Sequence, residues 1–285
     1  MKVGFNMLLW TTHVTEDDFP LLEAIKKAGY DGVEIPLFEG KPAHFEKVGR
    51  AIKDNGLGCT SVAVIPDEEH NPISADAGHR RGAVEHLKWA IECSKVLGSG
   101  ILCGPLYQPL GLFSGQAPTE EEKQRAAEVH RQAAELAAKA KVTLALEFLN
   151  RFECYFLNTM ADAAAYVKRV NHPNCGVMFD TFHANIEEKD PVGCIRQHID
   201  VIKHVHISEN DRGTPGKGHI DWPGTFKALR SGGYDQWLVI EAFGRALPGL
   251  AAATRVWRDF FPSRDGVYTE GLKFIKKQWK AAGSS

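Results

Sequence analysis

Residues 120–148 read EEEKQRAAEVHRQAAELAAKAKVTLALEF. A long helical pattern, Glu120–Ala140, opens behind Thr119 and gives way within a few residues to a short β-rich run, Thr143–Phe148, that carries a carboxylate near its end. Working outward, the same alternation fills the chain. Further strands are expected at Lys2–Leu8, Gly32–Ile35, Gly58–Val64, Gly100–Cys103, Gly176–Asp180, His204–Ile207 and Trp237–Glu241. Helical patterns lie between them at Asp17–Ala28, Ala43–Asn55, Ala77–Leu97, Met160–Val170, Pro191–His198, Trp222–Ser231 and around Glu270–Lys280. Eight β-then-α units in 285 residues, with no linker dividing two halves, predict one (β/α)8 TIM barrel over 1–285, closed by a C-terminal helix and a short flexible tail. An open doubly wound sheet is the competing arrangement. No GxGxxG follows the first strand and no GxxxxGK[ST] is present, which argues against nucleotide binding.

Composition narrows the partners. The chain is 44% hydrophobic and 25% charged, and 34 Lys+Arg against 36 Asp+Glu leave a net charge of −2 with no basic block. Neither nucleic acid nor an anionic membrane surface has an electrostatic footprint here, so a small molecule is the expected partner. The N-terminal run MKVGFNMLLW is followed by Glu16, Asp17 and Asp18 without a small-residue cleavage site, and no apolar stretch approaches the roughly 20 residues that span a bilayer. Cys59, Cys93, Cys103, Cys154, Cys175 and Cys194 show no CxxC spacing and read as reduced, buried thiols. The cytoplasm is the expected compartment.

In such barrels the residues at the carboxyl ends of the strands face the active site. Glu147 in LALEF, Asp180 in GVMFD, His206 in KHVHI and Glu241 in LVIEA stand at four consecutive strand ends. Taken singly, each is as well explained by capping a helix or pairing with Lys or Arg. Four in register predict one pocket. Three carboxylates and an imidazole suit a divalent ion of intermediate hardness, Mn²⁺ or Co²⁺ with Mg²⁺ admissible, better than Zn²⁺. Glu153, His183 and Arg212, in the segments that follow these strands, are the polar groups expected to meet substrate hydroxyls, although His183 and Arg212 could equally be surface loop residues. Trp10, Phe243 and the turn Cys103-Gly104-Pro105-Leu106 are candidates for apolar walls.

The runs LALEFLNRFE, VMFDTFHANIEE, HVHISENDRGTPGKGHIDW and VIEAFGRA, followed by VWRDF, resemble the ketose 3-epimerases, the D-tagatose, D-allulose (D-psicose) and L-ribulose 3-epimerase group of the xylose-isomerase-like barrels. KVGFNMLLW and CGPLYQPLG extend the likeness more loosely into the N-terminal half. Asn6 and the stretch VAVIPDEEHNPIS depart from it. The resemblance implies one divalent ion per subunit held by Glu147, Asp180, His206 and Glu241, with Glu147 and Glu241 as the catalytic pair. It also implies substrate contacts from Glu153, His183 and Arg212, and no organic cofactor. A homo-oligomer, dimer or tetramer, is expected.

The implied chemistry is removal and return of the C3 proton of a free ketose. Candidate substrate pairs are D-fructose/D-allulose, D-tagatose/D-sorbose and L-ribulose/L-xylulose. The anion left at C2–C3 needs charge stabilisation, and epimerisation needs a base on one face and an acid on the other. An aldose–ketose or hydroxypyruvate isomerase on the same scaffold is the nearest alternative reading. A catalytically silent sugar-binding barrel is another. An abasic-site endonuclease would need a basic groove that the charge balance does not offer.

Overall fold

Each apolar run pairs in parallel with its neighbours in chain order, and the eighth pairs back onto the first, closing a barrel. The computed structural model describes residues 1–283. The strands are β1 (Lys2–Asn6), β2 (Gly32–Pro36), β3 (Gly58–Val62), β4 (Ile101–Gly104), β5 (Thr143–Glu147), β6 (Cys175–Asp180), β7 (Ile202–Ile207) and β8 (Trp237–Ile240). The helices are α1 (Phe19–Ala28), α2 (Pro42–Asp54), α3 (Ala77–Leu97), α4 (Glu120–Ala140), α5 (Met160–Val170), α6 (Thr181–Glu187), α7 (Pro191–His198), α8 (Trp222–Ser231), α9 (Pro248–Thr254) and α10 (Arg264–Ala281).

The helices form because their apolar residues recur on one face. Phe45, Val48 and Ile52 of α2 are all buried, and α4 lays Ala126, Ala127, Ala133, Ala134 and Ala137 against its neighbours. The Thr119 hydroxyl accepts from the Glu122 N–H while the Glu122 carboxylate accepts from the Thr119 N–H, which starts α4 where the sequence places it. Gly4, in the middle of β1, stands beside Gly32 and Gly58, the first residues of β2 and β3. The Trp237 indole occupies the space their side chains would take: a Cβ on Gly32 would lie 2.5 Å from its ring and 2.4 Å from the Gly58 carbonyl oxygen. Val62, Ile101, Cys103, Ala145 and Met178 continue this apolar cluster. Above it, at the carboxyl ends, the register sets Asn6 beside Glu34, Glu34 beside Thr60, and Asp180 beside His206.

Several boundaries differ from the sequence reading. β1 stops at Asn6, whose side chain accepts the Leu8 N–H and turns the chain into a 3-10 turn over Met7–Leu9. A 3-10 turn over Glu16–Asp18 delays α1 to Phe19. Capped by Ser263, α10 starts at Arg264, six residues before the expected start, and α6 and α9 are additional helices. The expected C-terminal tail, residues 284–285, lies outside the described residues. All six cysteines are free and buried, and no described helix is long and apolar enough to cross a membrane.

Candidate metal centre and active site

Strands β5, β6 and β7 and the first residue after β8 deliver Glu147, Asp180, His206 and Glu241 to one place. One ligand atom from each lies within 4.8 Å of the other three, and all four residues are buried. The His206 Nδ1 faces Glu241 Oε1 at 3.4 Å and Asp180 Oδ2 at 3.7 Å, yet this buried nitrogen has no hydrogen-bond partner. A buried, unpartnered ring nitrogen facing carboxylates is costly unless a cation joins them, and a divalent ion fits that donor set. The electrostatics agree. Burial, reinforced by Glu241 and Asp180, pushes the Glu147 carboxyl well above the usual carboxylate range. Burial would also raise Asp180, but the Arg212 guanidinium and the neighbouring His206 and His183 together outweigh it and hold Asp180 below that range.

Asp180 also does what a strand-end carboxylate does by default. Its Oδ1 caps α6 by accepting the Phe182 N–H at 2.6 Å. Its Oδ2 pairs with Arg212 Nη1 at 2.9 Å. The same Nη1 lies 2.7 Å from Glu241 Oε2, so Arg212 touches two of the four candidate ligands. Arg212 has a left-handed backbone, φ 64°, in the loop after β7, and its guanidinium lies over the rings of Phe182 and Phe243 at 3.9 and 4.9 Å. Phe243 is thus a wall for Arg212, while Trp10 packs against Phe5 and Tyr268.

His183 lies in α6, fully buried, and is not a surface loop residue. Its Nδ1 faces the Asn150 backbone N–H at 3.0 Å, and its Nε2 lies 2.9 Å from the donor Arg212 Nη2 and 3.5 Å from Glu147 Oε1. Burial, then the neighbouring Arg212, pushes the His183 imidazole down to about 3, so the ring is neutral. Glu153 is only half-buried and joins this group through Asn150, whose Nδ2 donates to it at 2.7 Å. Burial raises the Glu153 carboxyl.

Two hubs escaped the sequence reading. Glu34, wholly buried on β2, accepts from Asn6, Thr60, Cys103, His204 and His206. Cys103 therefore offers a thiol to a carboxylate and is not simply an apolar wall. The signal was a set of polar residues, Asn6, Glu34 and Thr60, one near the end of each of the first three apolar strands. Glu209, also wholly buried, ties down the loop that carries Arg212 by accepting from Gly216 N at 2.7 Å and Trp222 Nε1 at 3.0 Å. The turn at Gly216 needs φ +87°, which glycine adopts freely.

The model of the family described as xylose isomerase-like TIM barrel matches residues 22–278. The chain is 30% identical over 283–284 residues to curated relatives that include the ketose 3-epimerase of Arthrobacter globiformis, covering 99% of this chain and 98% of that one. It is 32% identical to the D-psicose 3-epimerase of Ruminiclostridium cellulolyticum, covering 93% and 92%. A solved structure of an L-ribulose 3-epimerase superposes with a TM-score of 0.93 at 31% identity, over 99% of this chain and 96% of that one.

Proposed function

The chain belongs to the xylose isomerase-like TIM barrel family, and from that premise we propose that it is a metal-dependent ketose 3-epimerase acting on free ketoses. The observation that carries the reading is the convergence of Glu147 and Glu241, from β5 and from just beyond β8, on one buried point with Asp180 and His206. These four residues would hold Mn²⁺ or Co²⁺, which when bound supplies Lewis-acid stabilisation of the negative charge that develops on the sugar oxygens.

One glutamate takes the C3 proton, and the C3–H bonding pair passes into the C2–C3 bond as the carbonyl oxygen gains charge. The other glutamate then returns a proton to the opposite face of C3. The configuration at C3 decides which of the two acts as base, so each serves in one direction. The His183 imidazole and the Arg212 guanidinium offer polar contacts beside these carboxylates, and the half-buried Glu153 offers an acceptor. Together they orient the hydroxyls of the sugar. The burial of Glu147, Glu241 and Arg212 excludes bulk water, which strengthens each of these contacts. A homo-oligomer, dimer or tetramer, in the cytoplasm completes the proposal.

The direct test is to incubate purified protein and Mn²⁺ or Co²⁺ with D-fructose, D-tagatose or L-ribulose and resolve the products by chromatography. The C3 epimer of at least one sugar is expected. Accumulation of an aldose in its place would favour isomerisation between C1 and C2 and overturn the assignment.

A further inference from the structure

Five donors converge on the Glu34 carboxylate from four strands besides its own. Oε1 accepts from His206 Nε2 at 2.6 Å and Asn6 Nδ2 at 3.0 Å, while Oε2 accepts from Thr60 Oγ1 at 2.7 Å, His204 Nε2 at 2.8 Å and Cys103 Sγ at 3.3 Å. An ionised carboxylate can only accept, so every one of these partners is cast as a donor. The consequence falls on His206. Its Nε2 is held as an N–H by Glu34, and Nδ1, without a hydrogen-bond partner, is the nitrogen presented to Asp180 and Glu241. Asn6 carries the influence of Glu34 further, because the same Nδ2 that donates to Glu34 also donates to Glu241 Oε1 at 3.2 Å.

We infer that Glu34 is a positioning residue for the metal centre, fixing the His206 tautomer directly and the Glu241 carboxylate through Asn6. The inference rests on the reading of Glu147, Asp180, His206 and Glu241 as the metal seat. Glu34 itself cannot join that seat, since both of its oxygens are engaged on the far side of the His206 ring. A hydrogen-bonded carboxylate behind a ligating imidazole orients the ring and raises its basicity, and losing such a partner typically weakens metal binding by about 10- to 100-fold. Glutamine is the informative replacement. It keeps the size of the side chain but turns one of the two oxygens into an NH₂ group, so donors meet donors on one side or the other, and the charge behind His206 is gone.

The experiment titrates metal-free wild-type and Glu34→Gln protein with Mn²⁺, following free Mn²⁺ by electron paramagnetic resonance. One ion per chain in the wild type and a dissociation constant about 10- to 100-fold weaker in the variant are expected. A variant that melts at lower temperature yet binds Mn²⁺ within about twofold of the wild type would reduce Glu34 to a structural role and overturn the inference. Two ions per chain would also overturn it, because Glu34, Cys103 and His204 would then be ligands of a second ion. No Mn²⁺ binding by the wild type would instead overturn the metal reading. The ¹⁵N shifts of the His206 ring in wild-type protein loaded with diamagnetic Mg²⁺ test the orientation without any variant: a ring protonated at Nε2 alone supports the inference and a ring protonated at Nδ1 alone overturns it.

Discussion

Arg212 and Asp180 meet at 2.9 Å, Nη1 to Oδ2, both buried, with the guanidinium over the rings of Phe182 and Phe243. A buried cation set against Asp180 and Glu241 answers part of the charge that a divalent ion would answer in full. Removing it by Arg212→Ala leaves two buried carboxylates without their counter-charge, and the metal-free protein should lose roughly 3–5 kcal/mol of stability. Mn²⁺ should then stabilise the variant more than it stabilises the wild type, because the ion supplies the missing charge. Urea unfolding of both proteins with and without Mn²⁺ measures this. Equal gains from the metal would contradict the placement of the ion beside Arg212.

His183 and His206 are both buried imidazoles, but they face different tasks. His206→Asn removes the nitrogen aimed among the carboxylates, so the purified variant should retain little Mn²⁺. His183→Ala removes a ring that is held by the Asn150 backbone and Arg212 and lies outside the four candidate ligands, so metal content should persist while kcat/KM falls by about 10- to 100-fold. Metal analysis beside steady-state kinetics separates the two. Loss of metal in His183→Ala to the same degree as in His206→Asn would merge the roles assigned here.

Much of this was readable from the chain because repeated patterns are robust. The bounds of α3, α4, α5, α7 and α8 coincide with the periodic segments, and the four candidate ligands sit where strand ends place them. What escaped was local or non-periodic. α6 is seven residues long and starts at the residue after β6, with Asp180 serving as strand end and cap together, so no loop signal marks it. Glu34 lies two positions from the end of a strand buried along its whole length, where a single carboxylate carries no spacing to read. Only the register, which brings Asn6 and Thr60 to its flanks and β7 across the barrel, gives it meaning.

His130 predicts a pH dependence away from the active site. Buried on α4, its Nε2–H donates to the Leu106 carbonyl at 2.9 Å and its Nδ1 accepts from the Tyr166 hydroxyl at 2.6 Å, and burial pushes the imidazole from 6.5 down to about 4. A folded-state value below the unfolded one means that the unfolded chain binds the extra proton first. The contribution of His130 is therefore complete above pH 6.5 and is lost as pH falls toward 4, by about 3 kcal/mol in all. Unfolding free energies of wild type and His130→Asn across that range should converge toward the acid end. A parallel pair of curves would rule the assignment out.

Glu147→Gln and Glu241→Gln keep shape and some capacity to coordinate but cannot transfer a proton. Each should lose roughly 10²- to 10⁴-fold in kcat, and in both directions of the reaction, since every turnover uses both carboxylates. Assays started from each of the two epimers check this. Retained turnover of either epimer by either variant would remove that glutamate from the mechanism.

If Glu147 and Glu241 exchange the C3 proton of a ketose from opposite faces, turnover in D₂O records it in the product. Protons held on Glu147 and Glu241 mix with solvent between turnovers, so the product ketose should carry deuterium at C3 and none at C1, with no aldose accumulating. Deuterium at C1, or a product that keeps its original hydrogen at C3 while an aldose appears, would contradict the account.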